Sequence, residues 1–152
     1  ATFSSQNFGA GERVRIAKGA RSGIFMYFCW WLVALVFVIF LAPTAVKFIT
    51  GSSNPEVIKN GVLYLRISIP MIPPMAILVI LRNILQGMRR PGMPLFCSCL
   101  ELIGKVIFAL WLVPAFGYVA VCVCEPVTWV ICCVVIAVAV FAIRGEFTDR
   151  HI

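Results

Sequence analysis

Three charged side chains lie deeper than the others in the long apolar stretches of this 152-residue sequence: Glu101, Lys105 and Glu125. A charge near the centre of a lipid bilayer costs about 3 kcal/mol or more, so such residues usually pair with one another or line a path for ions. A carboxylate in such a place can bind a proton or a cation and release it again. The chemistry that these three residues predict is the binding and release of ions. We therefore expect a protein that is not an enzyme.

The first two of these residues are one helical turn apart. Glu101 precedes Lys105 by four positions, which is the favoured order for an ion pair on one helix. Lys105 would lie about 15 Å from Leu95 along that helix, close to the middle of a membrane. We expect the two charges to neutralise each other, either as a structural ion pair or within a site for substrate or ions.

Glu125 differs from this pair because its own apolar stretch contains no lysine or arginine. It precedes Pro126, and a proline disfavours helical geometry in the residue before it. We interpret Glu125 as a candidate for ion coupling in a water-filled cavity. The alternative is that Arg66 or Lys105 of a neighbouring helix pairs with Glu125 permanently, which would give the acid a packing role.

Four apolar stretches must position these side chains, at about 24–42, 61–87, 95–116 and 119–143. Each is long enough, as a helix, to cross a hydrocarbon core of about 30 Å. Hydrophobic residues make up 62% of the sequence and charged residues 12%, which is not the composition of an ordinary soluble domain. Lipid offers the backbone no hydrogen-bond partner, so each span must be helical. The predicted fold class is an all-α membrane protein with four transmembrane helices.

Prolines interrupt the second and the fourth stretch. Pro70, Pro73 and Pro74 each remove a backbone donor, so the second helix should kink or break there. Pro126 should loosen the fourth helix in the same way. The bend either shapes helix packing or provides a hinge beside a substrate path, as interrupted helices do in transporters. These four prolines are the hinge candidates.

Basic residues predict the orientation, because lysine and arginine near span ends stay on the cytoplasmic side. Three basic groups fall at one side of the predicted spans: Arg13, Arg15, Lys18 and Arg21; Arg82, Arg89 and Arg90; Arg144 and Arg150. We therefore expect residues 1–22 to form the end of a preceding helix and an amphipathic cytoplasmic segment, and 144–152 a cytoplasmic tail. The connections at 51–59 and 113–118 would lie outside the cell.

Positive charge is in excess, with a net value of +7. The orientation rule and attraction to membrane lipid explain this excess better than nucleic-acid binding, which needs a soluble basic face. Arg66 and Arg82 frame the second span about 24 Å apart, and we expect each side chain to reach its own interface.

Cysteine and histidine give no pattern for a metal or a disulfide framework. All seven cysteines fall in apolar runs, where a thiol packs like a small hydrophobe: Cys29, Cys97, Cys99, Cys122, Cys124, Cys132 and Cys133. His151 is alone in a polar tail, where we expect a solvated residue. We expect no metal site and no cofactor.

Several short motifs occur in an order that is similar to one known transporter family. They are Gln6-Asn7-Phe8-Gly9-Ala10-Gly11, Tyr64-Leu65-Arg66-Ile67 followed by Pro70, Leu81-Arg82 with Leu85-Gln86-Gly87, Leu100-Glu101-Leu102-Ile103-Gly104-Lys105 and Glu125-Pro126-Val127-Thr128-Trp129. Together they resemble the C-terminal lobe of the multidrug and toxic compound extrusion (MATE) transporters over nearly the whole chain.

The resemblance implies twelve helices in two lobes of six around a central cavity. This chain would hold the last four helices and the end of the one before, so its partners would be the remainder of the transporter, membrane lipid and a small organic substrate. Family members with a sodium site in this lobe carry an acid in the helix matching 61–87. This sequence has none there, which argues against that type of site.

The function implied is a secondary antiporter that exports organic, often cationic, compounds in exchange for H+ or Na+. Two alternatives remain at this point: a flippase for lipid-linked substrates of the same superfamily, and a small four-span membrane protein that transports nothing. Since the cavity of such an antiporter forms between two lobes, we expect residues 1–152 not to transport by themselves.

Overall fold

A computed structural model describes residues 1–143 and residue 145, and every regular element in this part of the chain is helical. The helices are α1 (Thr2–Gly9), α2 (Arg13–Thr50), α3 (Pro55–Ser68), α4 (Ile72–Gly87), α5 (Gly92–Ile107), α6 (Val113–Phe116) and α7 (Tyr118–Ala142). A 3-10 turn, Ile69–Met71, joins α3 to α4, and a π-helical turn, Phe108–Leu112, joins α5 to α6. Except for Gly145, the predicted tail with Arg144, Arg150 and His151 lies outside the described residues.

Four helical segments of this part are long and apolar enough to cross a membrane: Arg13–Thr50, Pro55–Gly87, Gly92–Phe116 and Tyr118–Ala142. This confirms the predicted all-α membrane fold class. Each segment contains the corresponding apolar stretch to within one residue, and the first two extend well beyond it. The additional turns are more polar, as expected where a helix leaves the hydrocarbon core.

The first segment corrects two expectations. The amphipathic segment that was expected within 1–22 is not separate from the first span, because α2 runs from Arg13 to Thr50 without interruption. The span was also expected to end at Pro43, yet this proline lies inside the helix. A single proline removes only one hydrogen bond, so a well-packed helix can continue through it. The helix ends instead at Gly51, whose φ of 64° favours glycine, with its N–H donating to the carbonyl of Lys47.

The second segment is interrupted where the prolines predict it. Pro55 and the Asn54 side chain, which accepts from the Glu56 N–H at 2.9 Å, begin α3. The helix changes to the 3-10 turn at Ile69, since Pro73 has no N–H to donate to the Ile69 carbonyl. The Trp31 indole N–H of α2 donates to that carbonyl at 2.8 Å. The break is therefore held by a side chain from another helix.

The 25-residue helix α7 has the central position. It packs against α3, α4 and α5, and the largest buried cluster joins Leu78 and Leu85 of α4 to Cys97 of α5 and Cys132 and Ile136 of α7. A second cluster joins α2 to α3, and a third holds the start of α2 against the end of α4. These contacts fix α5 and α7 side by side, and this pair of helices carries Glu101, Lys105 and Glu125.

Candidate functional site

A close approach between α5 and α7 sets the geometry of the site. A Cβ atom on Gly104 would lie only 2.9 Å from Cγ2 of Thr128, so only glycine fits at this crossing without a shift. The Thr128 hydroxyl lies 2.9 Å from the carbonyl oxygens of both Cys124 and Glu125, so the polar end of this side chain stays within its own helix. The next residue of α5 is Lys105, which therefore lies within reach of α7.

Lys105 and Glu125 form an ion pair between α5 and α7, with 2.8 Å from Nζ to Oε1. The lysine side chain is 46% exposed and the glutamate side chain 32%. Both line an open cleft of about 290 Å³, whose other lining residues are Tyr64, Phe108, Ala109, Val113, Val121 and Cys124. The cleft thus has apolar walls from three membrane segments and one charged pair with access to its interior.

The expected pairing of Glu101 with Lys105 is wrong. Glu101 instead accepts a hydrogen bond from Arg82 of α4, with 3.0 Å from Nη2 to Oε1, and each of these side chains is only 22% exposed. Each charge of α5 therefore finds its partner on another helix. Arg82, which was expected to extend towards its own interface, contacts Glu101 of α5 in the fold.

The four charges alternate in sign across three helices, in the order Arg82, Glu101, Lys105, Glu125. Their charges sum to zero, which lowers the cost of placing them in the bilayer. Sequence reasoning missed the part of Arg82 in this series. The signal that could have found it was the charge balance, because two deep acids and one deep lysine require a second cation.

The π-helical turn at Phe108–Leu112 was not predicted. Pro114 has no N–H for the carbonyl of Leu110, so the regular hydrogen-bond pattern is interrupted just before it. Phe108 and Ala109 of this turn line the cleft next to Lys105. The local change in helical pitch therefore shapes the wall beside the ion pair.

The hinge candidates lie near a second pocket. This pocket of about 340 Å³ has apolar walls and includes Ile67 and Met71 beside the helix break and Pro126 and Val130 of α7. Although Pro126 loosens a helix in principle, α7 runs through it without a break. The interruption at Pro70, Pro73 and Pro74 is thus present in the fold, and its role as a hinge stays a prediction.

Among the other residues of the family motifs, Tyr64 lines the cleft, and several of those outside it support the packing of helices. Asn7 is buried and donates to the Phe3 carbonyl at 2.8 Å, and Gly11 has a φ of 75° in the turn after α1. A Cβ on Gly87 would lie 2.5 Å from the Ser4 Cβ, so α1 can rest directly on α4. Trp129 packs against the central cluster, whereas Gln6, Gly9, Arg66 and Gln86 are exposed.

The side chains of the described residues show no arrangement typical of a metal site or a disulfide. Within the described ranges, no three histidine, cysteine, aspartate or glutamate residues come together as ligands for a metal ion. All seven cysteines are free, and three of them are buried. The charged pair Lys105–Glu125 is therefore the polar feature that the cleft presents.

Comparison with known proteins identifies the family. The MatE family model matches residues 1–111, which is more than half of the chain and includes Arg82, Glu101 and Lys105. Glu125 and α7 lie beyond the matched residues. Neither the curated proteins nor the solved structures give a match. With four membrane-length apolar helices and this match, the chain belongs to the MatE family of membrane transporters.

Proposed function

We propose that the chain works in a secondary antiporter that exports organic, often cationic, compounds across the cell membrane in exchange for H+ or Na+. The observation that carries this proposal is the Lys105–Glu125 pair at 2.8 Å on the wall of an open cleft. The motif order described above supports an assignment to the last four helices of the C-terminal lobe, with both termini cytoplasmic.

The ion pair supplies a simple switch. When a proton or a cation takes the place of the Lys105 ammonium at Glu125, the attraction that holds the two side chains together is lost. Lys105 then needs another partner or access to water, since a lone ammonium in the bilayer is costly. Opening of the cleft around α5 and α7 meets this need. Binding of ions is thereby linked to a change in helix packing, as alternating access requires.

The helix break gives this change a place to occur. The second segment is interrupted at Ile69–Met71. Tyr64 of α3, which precedes this break in the chain, lines the same cleft as Glu125. A movement of α3 relative to α4 would therefore change the width of the cleft directly. The same break borders the apolar pocket beside Pro126, which offers an organic compound a nonpolar surface.

The test is efflux by the natural full-length protein carrying Glu125→Gln. In proteoliposomes with an imposed H+ or Na+ gradient, we expect the variant to lose at least about tenfold in the rate of organic-cation transport, because amide neutralisation removes the exchangeable charge. Membrane abundance should stay near that of the wild type. Glu56→Gln is the matched control, since Glu56 is an exposed acid in the first turn of α3.

Full ion-driven efflux by Glu125→Gln would refute the coupling role and leave the pair as a packing device. Running the assay with each gradient separately distinguishes H+ from Na+ as the coupling ion. The alternative of a flippase for lipid-linked substrates predicts no organic-cation transport in either gradient. The cleft supports that alternative less well, because its one lysine is neutralised by its one glutamate.

A further inference from the structure

Another open groove lies near the connection between α2 and α3. Its volume is about 630 Å³, and it is lined by Pro43 of α2, by Ser53 and by the α3 residues Pro55, Ile58, Lys59, Val62, Leu63 and Arg66. The floor and walls are mostly apolar. The groove lies on a different face of α3 from the cleft at Glu125, and only Tyr64 of α3 belongs to that cleft.

Two cations face this groove. Lys59 and Arg66 are seven residues apart, so they lie on one face of α3 two turns from each other. Both side chains are exposed, and no acidic residue lines the groove. Among the residues that the structure describes, neither cation forms an ion pair. The groove therefore has positive charge that no described side chain neutralises.

The position of the groove fits a membrane interface. The residues between Thr50 and Pro55 connect two membrane-length helices, so this end of α3 lies where the hydrocarbon core ends. Lys59 is about 6 Å and Arg66 about 16 Å below the start of the helix. The long Arg66 side chain can extend towards the interface, while Val62 and Leu63 stay at the depth of acyl chains.

We propose that this groove binds an anionic phospholipid, with its phosphate between Lys59 and Arg66 and an acyl chain along Val62 and Leu63. Each part of the ligand meets matching chemistry: the anion meets two cations and the chain meets apolar walls. A basic pocket beside a transmembrane helix is a recognised form of lipid site. The apolar wall favours a lipid over a small soluble anion, which would leave that wall exposed to water.

The experiment uses the natural full-length protein in phosphatidylcholine vesicles that contain a minor share of photoactivatable phosphatidylglycerol. After irradiation and peptic digestion, mass spectrometry measures labelling of the peptides that cover 55–66. We expect labelling to fall about fivefold for each cation removed, in Lys59→Gln and in Arg66→Gln. Lys47→Gln is the control, because Lys47 is an exposed cation in the last turn of α2 and does not line the groove.

Charge-conserving Lys59→Arg with Arg66→Lys should keep the labelling, which separates loss of charge from damage to packing. Equal labelling by photoactivatable phosphatidylcholine would overturn the proposal, because the groove would then accept any lipid. An equal loss in Lys47→Gln, or a loss in the charge-conserving variant, would overturn it as well. If phenyl phosphate in solution abolishes labelling, the groove is a site for soluble organic anions instead.

Discussion

At the scale of single residues, the pair Arg82–Glu101 shows that the stability of a charged side chain inside a span depends on its ion-pair partner. Their side chains are 3.0 Å apart and mostly buried, and the described part of the chain offers Arg82 Nε no hydrogen-bond partner. Removing one member of such a pair leaves an uncompensated charge in a medium of low dielectric constant, whereas removing both leaves none. The two kinds of substitution should therefore have different effects.

We expect Arg82→Met to destabilise the natural full-length protein by about 2 kcal/mol, a value below that of a fully buried pair because some solvent reaches both side chains. The double variant Arg82→Met with Glu101→Met should recover most of this loss. Thermal unfolding in detergent measures both, with Arg89→Gln as an exposed control. Additive losses in the double variant would show that the two residues are not coupled.

The pairing of these residues was the part of the site that sequence reasoning got wrong. The spacing of Glu101 and Lys105 satisfies the rule for an ion pair on one helix, but that rule does not take charged residues of neighbouring helices into account. In the fold, Arg82 and Glu125 approach from α4 and α7 and give each charge a closer partner. That Lys105 meets Glu125 was one of the alternatives open from the sequence, and only tertiary packing could choose it.

At the scale of elements, local chemistry predicts the helices and the main interruption well. Apolar length is enough to identify four membrane segments, and Pro70 with its neighbours is enough to place the break. The continuity of α2 and the π-helical turn were not predictable in the same way. Whether a helix continues through Pro43, or changes pitch before Pro114, depends on packing against other elements.

Also at the scale of elements, we expect the side chain of Trp31 to stabilise the helix break at Ile69–Met71. In Trp31→Phe the Ile69 carbonyl loses the indole donor at 2.8 Å, while ring packing is largely kept. A net hydrogen bond contributes about 1 kcal/mol, so opening of the 3-10 turn should become about fivefold more frequent.

Hydrogen exchange of the Ile72 amide, which donates to the Ile69 carbonyl, measures this opening. Trp30→Phe is the matched control, since Trp30 is 68% exposed on the same helix. If both variants exchange at the same rate, the indole contact does not stabilise the break.

At the scale of the whole molecule, the roles of the charge series and of the basic groove depend on how the helices are oriented in the bilayer. The alternating charges join α4, α5 and α7, and the basic groove borders the connection between α2 and α3. Basic residues in the first turns of α2, in the connection between α4 and α5 and in the tail 144–152 predict that the groove end faces outwards. The orientation is therefore the prediction on which the leaflet of the proposed lipid depends.

Single-cysteine variants of the natural full-length protein, made in a background without the native cysteines, test this orientation in intact cells. Ser53 lies in the connection between α2 and α3, and Arg89 in the connection between α4 and α5; both are exposed. A maleimide that cannot cross membranes should label Ser53→Cys and should label Arg89→Cys only after the cells are permeabilised, because the positive-inside rule keeps the arginine-rich side in the cytoplasm. Labelling of Arg89→Cys alone in intact cells would invert the orientation and move the lipid groove to the cytoplasmic leaflet.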